Sequence, residues 1–396
     1  MGLPGPAACN RAMFHTGRQI VYTQKTTVTG LNMTPQAGEH GASFRPDLQD
    51  LLTIVIPTYN RHRLLNRALA YWAGVPVRVL VMDGGAQPLP EADQASMGAR
   101  ITYVHDPALL IQRLGRAGRL IETPFVTMIG DDEFHLHSGL GASVSALQDD
   151  ADLVACMGRV MGFSLLDNGA LGARQVYLDF SDHAIDQNTA CARMLGHFAR
   201  YTPSTIYSVV RTPVWRQALG ASLEQEFPIF ASAEIQIELA LSAIGKSRVL
   251  PVLHWLRSYE NTPIRNTGEV TLTAQTRFHQ WWQDADARDQ QQAFVQTSAR
   301  HIARATREPE SRIFQGIWDA LNAYVQFVGQ MAWKQAEYQR RMNQQIGSAR
   351  DAPVFQQSWR GMQAFQGELS TLAKCGVTFN EAEVHAVASA IHAYHG

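Results

Sequence analysis

From Leu51 onward, short apolar runs alternate with amphipathic segments. The runs are Thr53-Ile54-Val55-Ile56-Pro57, Val77-Arg78-Val79-Leu80-Val81-Met82, Ile101-Thr102-Tyr103-Val104 and Phe125-Val126-Thr127-Met128-Ile129, each bounded by turn residues. Between them, Leu64 to Trp72 and Ala108 to Ile121 carry the wider spacing of helices. Strand, helix, strand is the simplest parse, and its repetition predicts an α/β fold with a mostly parallel sheet covered by helices. Further on, Leu153 to Cys156 and Thr205 to Val210 read as strands, Ala231 to Ile244 as a helix and Val249 to Leu256 as an extended run.

From about Thr271 the character turns helical. Between Ser311 and Ile346 the residues Ile313, Ile317, Leu321, Tyr324, Val328 and Met331 step by three or four and so line one helix face. Such a helix would run about 50 Å. A last helix is expected from Glu381 to Tyr394. Residues 1–49, rich in Gly, Pro, Thr, Asn and Gln, show no sustained period and predict a loosely ordered extension. The expected division is therefore 1–49 as that extension, 50–265 as the α/β domain and 266–396 as an all-helical C-terminal appendage.

Composition adds limits. Lys and Arg number 34 against 35 Asp and Glu, so no net field draws the chain to nucleic acid or to an anionic membrane. The four cysteines, Cys9, Cys156, Cys191 and Cys375, include no Cys-x-x-Cys pair, which indicates neither a zinc knuckle nor a disulfide framework. A reducing cytosol is the expected home, with a peripheral position at the inner membrane face compatible with it. No window approaches the roughly 18 apolar residues of a membrane span.

The chemistry concentrates where the fourth apolar run ends. Gly130-Asp131-Asp132-Glu133 puts three adjacent acids at the carboxyl edge of a buried strand, where open α/β folds hold ligands and where a divalent cation would neutralise them. His135 and His137 follow, two apart in what looks like an extended segment, as metal ligands would be.

Three elements in order carry a family resemblance. Thr53-Ile54-Val55-Ile56-Pro57-Thr58-Tyr59-Asn60-Arg61 resembles the first strand and loop of family-2 glycosyltransferases with a GT-A fold. Val79-Leu80-Val81-Met82-Asp83-Gly84-Gly85 stands where that family has an apolar strand and Asp-Asp-Gly-Ser, and Thr123 to Glu133 looks like its fourth strand with an Asp-x-Asp-type metal motif. The sequence departs from the family at Gly84, where a second acid is common, at Ala86, where Ser is common, and at Gly130, where the first acid of the metal motif falls. The likeness spans about residues 51 to 260.

The resemblance implies a GT-A, Rossmann-like fold and a metal-dependent, inverting transfer of a sugar from a nucleotide-sugar to an acceptor hydroxyl. It assigns the donor to Pro57, Thr58, Tyr59, Arg61, Asp83 and Asp131, with Arg257 closing over the leaving group. Mn²⁺ or Mg²⁺ falls to Asp131, Asp132, Glu133 and His254, with the choice among the three acids left open. Glu234 in Ser232-Ala233-Glu234 matches the position of the base, with Glu238 one turn later in reserve. One of Arg113, Arg116 and Arg119 would face the diphosphate. A glycan, a lipid-linked glycan or a protein is the expected acceptor rather than a nucleic acid, and the C-terminal helices offer a homodimer surface. The other reading is a degenerate, non-catalytic domain that binds a glycan or nucleotide as a scaffold.

Two neighbouring classes fit poorly. No Gly lies between Thr53 and Ala73 and no Lys between Lys25 and Lys246, against the phosphate loop of a nucleotidyltransferase. Pro57 to Arg61 is equally unlike the Gly-x-Gly-x-x-Gly of a dinucleotide enzyme.

Overall fold

A computed structural model of the chain describes residues 47–166, 168–177, 183–202, 205–227, 229, 231–260, 277–346 and 362–394. The expected extension over 1–49 lies outside them but for its last three residues, and so does the boundary expected near 265.

The predicted alternation is present. Strands β1 (Leu52–Thr58), β2 (Arg78–Asp83), β3 (Ile101–His105) and β4 (Phe125–Met128) are joined by helices α1 (His62–Trp72), α2 (Glu91–Ala95) and α3 (Leu110–Leu120). β1 pairs in parallel with β2 and β4, and β2 with β3. Thr58 lies opposite Asp83 and Asp83 opposite His105, so all three strands end at one edge.

The chain continues through β5 (Phe134–His135), α4 (His137–Asp149), β6 (Leu153–Leu165), β7 (Leu171–Val176), β8 (Ala184–Ile185), α5 (Ala190–Phe198), a 3-10 turn (Thr205–Tyr207) and β9 (Val209–Arg211). Then come α6 (Thr212–Ala218), α7 (Gly220–Glu224), α8 (Ser232–Ile244) and β10 (Lys246–Ser258). After the described residues resume, α9 (Phe278–Gln283), α10 (Arg288–Thr306), α11 (Glu310–Ile346), β11 (Gln363–Ala364), α12 (Phe365–Lys374) and α13 (Glu381–Ala393) complete the fold. The sheet order is β11-β7-β6-β9-β4-β1-β2-β3, with β10 parallel to β6 and antiparallel to β5 and β8. The long ladders are thus mostly parallel, and β6 with β7 is the main antiparallel exception.

Alternation along β1 divides the interior. Ile54 and Ile56 join a core with Trp72, Phe134, Leu140, Leu253, Leu369 and Val387, while Val55 on the opposite face joins Leu114, Trp215, Leu241, Phe294 and Ile313. The C-terminal helices complete both cores, α12 and α13 on one face and α10 and α11 on the other. In α11 the apolar stripe is buried at Ile313, Ile317 and Leu321 but leaves the core by Met331, which is 46% exposed. No described helix is long and apolar enough to cross a membrane.

Three local expectations change. Thr205 to Val210 is a 3-10 turn followed by a short strand, because Glu238 Oε1 accepts from the Ile206 N–H (2.9 Å) and draws the segment out of the sheet. The strand begun at Leu153 runs on to Leu165. His135 and His137 do not share an extended segment: His135 ends β5 and His137 opens α4, and both are buried.

Candidate functional site at the carboxyl edge of the sheet

β1 ends in Thr58, whose hydroxyl donates to Asp131 Oδ2 (2.7 Å), so the first strand end is tied to the acid loop. Past it, Asn60 adopts φ +53°, a left-handed turn that asparagine tolerates, and its Oδ1 accepts from the Ala86 N–H (3.0 Å). The turn aims Arg61 at the acids. Its Nη1 lies 3.2 Å from Asp131 Oδ1 and its Nη2 2.7 Å from Asp132 Oδ2. Pro57 is half-buried in β1 opposite Met82, and Tyr59 is half-exposed at the strand's mouth.

Asp83 is fully enclosed. Oδ1 accepts from the Gly85 N–H (2.8 Å), and Oδ2 accepts from the Tyr103 hydroxyl (2.6 Å) and from His62 Nε2 (3.0 Å). These bonds make it the anchor of the turn after β2, and they occupy the face it would offer to a base.

Of the three helix arginines, Arg113 turns inward. It donates to the carbonyls of Thr58 (2.8 Å), Met82 (2.6 Å) and Ala108 (3.1 Å), stapling the ends of β1 and β2. A Cβ at Gly84 would stand 2.5 Å from the Arg113 guanidinium carbon. That explains the missing second acid: its space is filled by Arg113. Arg116 instead pairs with Asp106 (3.1 Å) at the surface, and Arg119 lines a depression between α3, α6 and α7.

The acids diverge. Asp131 and Asp132 share one cation, Arg61, whereas Glu133 turns away and accepts from Trp255 Nε1 (3.0 Å). Burial pushes the Asp131 carboxyl up to about 6, with Arg61 opposing it. Burial and then the Asp132 charge push Glu133 up to about 8. The backbone of this loop is pinned from below, since Arg67 donates to the Asp132 carbonyl (2.9 Å) and to Glu260 Oε2 (2.6 Å).

His254 is not brought to these carboxylates. Side chains alternate along β10, so Trp255 faces Glu133 while His254 packs behind the strand, its Nδ1 3.4 Å from Ser143 Oγ and its ring 4.6 Å from that of His135. Burial holds both imidazoles below their ordinary range and neutral.

Arg257 lies over the Tyr177 ring (5.4 Å) and donates to the Tyr177 hydroxyl. Its charge lowers both Glu133 and Glu234 against the burial that raises them. Tyr177 and Tyr207 in turn feel both carboxylates. Glu133 and Glu234 therefore both neighbour an aromatic cluster of Tyr177, Tyr207 and Trp255, in which the Tyr207 and Trp255 rings are tilted by 32° with centroids 4.7 Å apart.

Glu234, in the first turn of α8, takes a hydrogen bond from Tyr201 on Oε1 (2.8 Å). Among the described residues this is the hydrogen bond it takes. Burial pushes it up to about 7, while the Tyr201 bond opposes the rise. Glu238 is different: it is fully buried, Oε2 accepts from His197 Nε2 (2.9 Å), and Oε1 holds the Ile206 N–H. With both oxygens engaged, Glu238, the expected reserve base, fixes the turn before β9.

Sequence reasoning missed Arg67, Tyr177, Tyr201, Tyr207 and Glu260, none of which sits in a motif. Trp255 lay inside the segment Leu253 to Arg257 but was not singled out.

A hard divalent ion suits the oxygen donors of Asp131 and Asp132, and Asp131 Oδ1, though enclosed, makes no hydrogen bond. Among the described residues no group of three or more His, Cys, Asp or Glu is placed to hold a metal ion. Two carboxylates completed by substrate phosphates and water are the usual provision for Mg²⁺, so the donor set fits an ion that arrives with a diphosphate.

No protein-family profile and no curated protein sequence matches the chain. Among solved structures it is similar to S. aureus TarS 1-349 (TM-score 0.39, 13% identity, covering 72% of this chain and 92% of that one). It is likewise similar to S. aureus TarS 1-349 in complex with UDP-GlcNAc (TM-score 0.41, 12% identity, 72% and 92%). Likeness at this level leaves function to be argued from the chain's own residues.

Proposed function

We propose that this chain is a metal-dependent, inverting glycosyltransferase that moves a sugar from a nucleotide-sugar to an acceptor hydroxyl, with Glu234 as the general base. The observation that carries this reading is the pairing, at one sheet edge, of two kinds of carboxylate. Asp131 and Asp132 are held with a cation, whereas Glu234 is raised to about 7 and, among the described residues, accepts on Oε1 alone.

The donor diphosphate lies over Asp131 and Asp132, with Arg61 and Arg257 as the cations that meet its charge. Asp131 and Asp132 would hold a divalent ion, which would supply positive charge to stabilise the departing nucleoside diphosphate. Pro57, Thr58 and Tyr59 line the strand end beside the nucleotide. Asp83 supports that wall through Gly85 rather than by direct contact. Glu234 Oε2 takes the proton from the acceptor hydroxyl. A base near 7 is half-ionised at neutral pH and still basic enough to help.

The reading is tested by incubating the protein and Mn²⁺ with a panel of UDP-, GDP- and dTDP-sugars and measuring nucleoside diphosphate release. Release from one of them, lost with EDTA and restored by Mn²⁺, is expected. Tight nucleotide binding by calorimetry without any release would mark a scaffold instead.

Tyr201 tests the base. Its hydrogen bond holds the Glu234 pKa down, so Tyr201→Phe should move the acid limb of the kcat/KM profile upward by about one pH unit. Activity then recovers at alkaline pH. An equal loss at every pH would mean that Tyr201 only packs α5 against α8.

A further inference from the structure

The acidic pair is neutralised from within the chain. One guanidinium, that of Arg61, spans Asp131 Oδ1 (3.2 Å) and Asp132 Oδ2 (2.7 Å), on the oxygens a divalent ion would use. The position is built. Asn60 at φ +53° sets the direction of the loop, its side chain ties the loop to Ala86, and the Thr58 hydroxyl fixes the other oxygen of Asp131. The Arg61 side chain is 18% exposed and Asp131 only 1%, so little water screens the contact.

A divalent ion at the pair would face this guanidinium across a few ångströms of poorly screened space, and like charges there repel strongly. The two cations therefore exclude each other. A diphosphate changes the balance, because it offers the planar guanidinium a second bidentate anion while leaving the carboxylates to the metal.

We propose that Arg61 is an internal counter-cation that keeps the divalent ion out of the Asp131-Asp132 pair until a nucleoside diphosphate draws the guanidinium onto its phosphates, so that metal and diphosphate bind as a coupled pair. This rests on the donor-diphosphate reading above. It also gives the Arg61 of the first-strand motif a second duty, protection of the acids in the empty enzyme. Coupling of this kind is reciprocal: whatever factor the diphosphate adds to metal affinity, the metal adds to diphosphate affinity.

The test is titration of Mn²⁺ alone, followed by the electron paramagnetic resonance signal of the free ion, on the full chain and on Arg61→Gln, each with and without UDP or GDP. The natural chain should bind Mn²⁺ weakly alone and at least tenfold more tightly with the nucleotide. Arg61→Gln should bind Mn²⁺ alone at least tenfold more tightly than the natural chain, and the nucleotide should add little. Arg61→Lys, which keeps a charge at the loop, should stay weak, and Arg61→Met replaces the glutamine variant if that fails to fold. Adding Asp132→Ala to Arg61→Gln should abolish the gain, which locates the ion at the pair. Equal Mn²⁺ affinity of the natural chain and Arg61→Gln without nucleotide overturns the proposal. If Arg61→Gln gains Mn²⁺ affinity but no nucleotide binds either protein, the exclusion stands, the coupling is overturned, and the donor reading fails separately.

Discussion

Glu234→Gln should lower sugar transfer by roughly a hundred- to ten-thousandfold, the range over which a positioned general base acts, while donor binding is unchanged. The substitution is nearly isosteric. The amide oxygen keeps the bond from Tyr201, so what is lost is the basicity of Oε2. On the proposed reading, donor affinity rests on Arg61, Arg257 and the acid pair and should not move. Stability should move the other way. The folded state raises this carboxyl from 4.5 to about 7, so its favourable contribution is complete below 4.5 and is lost as pH rises through 7. Glutamine escapes that loss. The variant should therefore melt a few degrees higher than the natural chain at pH 8 and at the same temperature near pH 4. Unchanged turnover, or a lower melting temperature at pH 8, would remove Glu234 from the role of base.

The contrast with Glu238 shows what a sequence leaves out. The two acids sit one turn apart on α8, and nothing local distinguishes them. The fold does: His197 from α5 and the Ile206 amide close on both oxygens of Glu238, whereas among the described residues Glu234 takes its bond from Tyr201 on Oε1.

The parallel half of the sheet was legible because each strand there is an unbroken apolar run that stops at turn residues. β6 was legible only to Cys156, since Gly158 and Gly162 interrupt the pattern. Both glycines are demanded by tertiary contact, as a Cβ would stand 2.1 Å from the Val252 carbonyl at the first and 2.5 Å from the Tyr259 ring at the second. β7 was hidden by Arg174 and Gln175. β5 is only two residues long, and His135-Leu136-His137 gives no sign that a strand ends and a helix begins there.

The site divides in the same way. Asp131, Asp132, Glu133 and Arg61 were legible as neighbours of strand ends, because strand register alone brings those ends together. The aromatic cluster was not, since Tyr177 follows β7, Tyr207 ends the 3-10 turn and Trp255 sits on β10, so their meeting depends on the order of the whole sheet. His254 lies behind β10, against Ser143 and His135, because of the face of the strand it takes. Its neighbour Trp255 has the face toward Glu133.

Among the three acids, geometry singles out Asp132 as the one whose loss should cost most. Its side chain is 13% exposed against 1% for Asp131, so it stands at the mouth of the pair where an incoming diphosphate and its metal arrive. Asp131 is engaged by Thr58, and Glu133 is turned to Trp255 and carries a raised pKa that leaves it partly protonated at neutral pH. Asp132→Ala should lower Mn²⁺-dependent donor hydrolysis by about a hundred- to ten-thousandfold, since metal-borne charge stabilisation is worth several kcal/mol and each 1.36 kcal/mol is a factor of ten. The fold should survive, because Arg67 grips the Asp132 carbonyl rather than its side chain and Arg61 keeps Asp131. Glu133→Ala should also impair hydrolysis, but through the aromatic cluster: Trp255 loses its acceptor, and the loss should not be relieved by raising Mn²⁺. Steady-state hydrolysis against Mn²⁺ concentration separates the two, with the apparent metal constant rising steeply for Asp132→Ala and little for Glu133→Ala. If turnover is unchanged in both, the acid cluster is not the metal site, and the transferase reading loses its foundation.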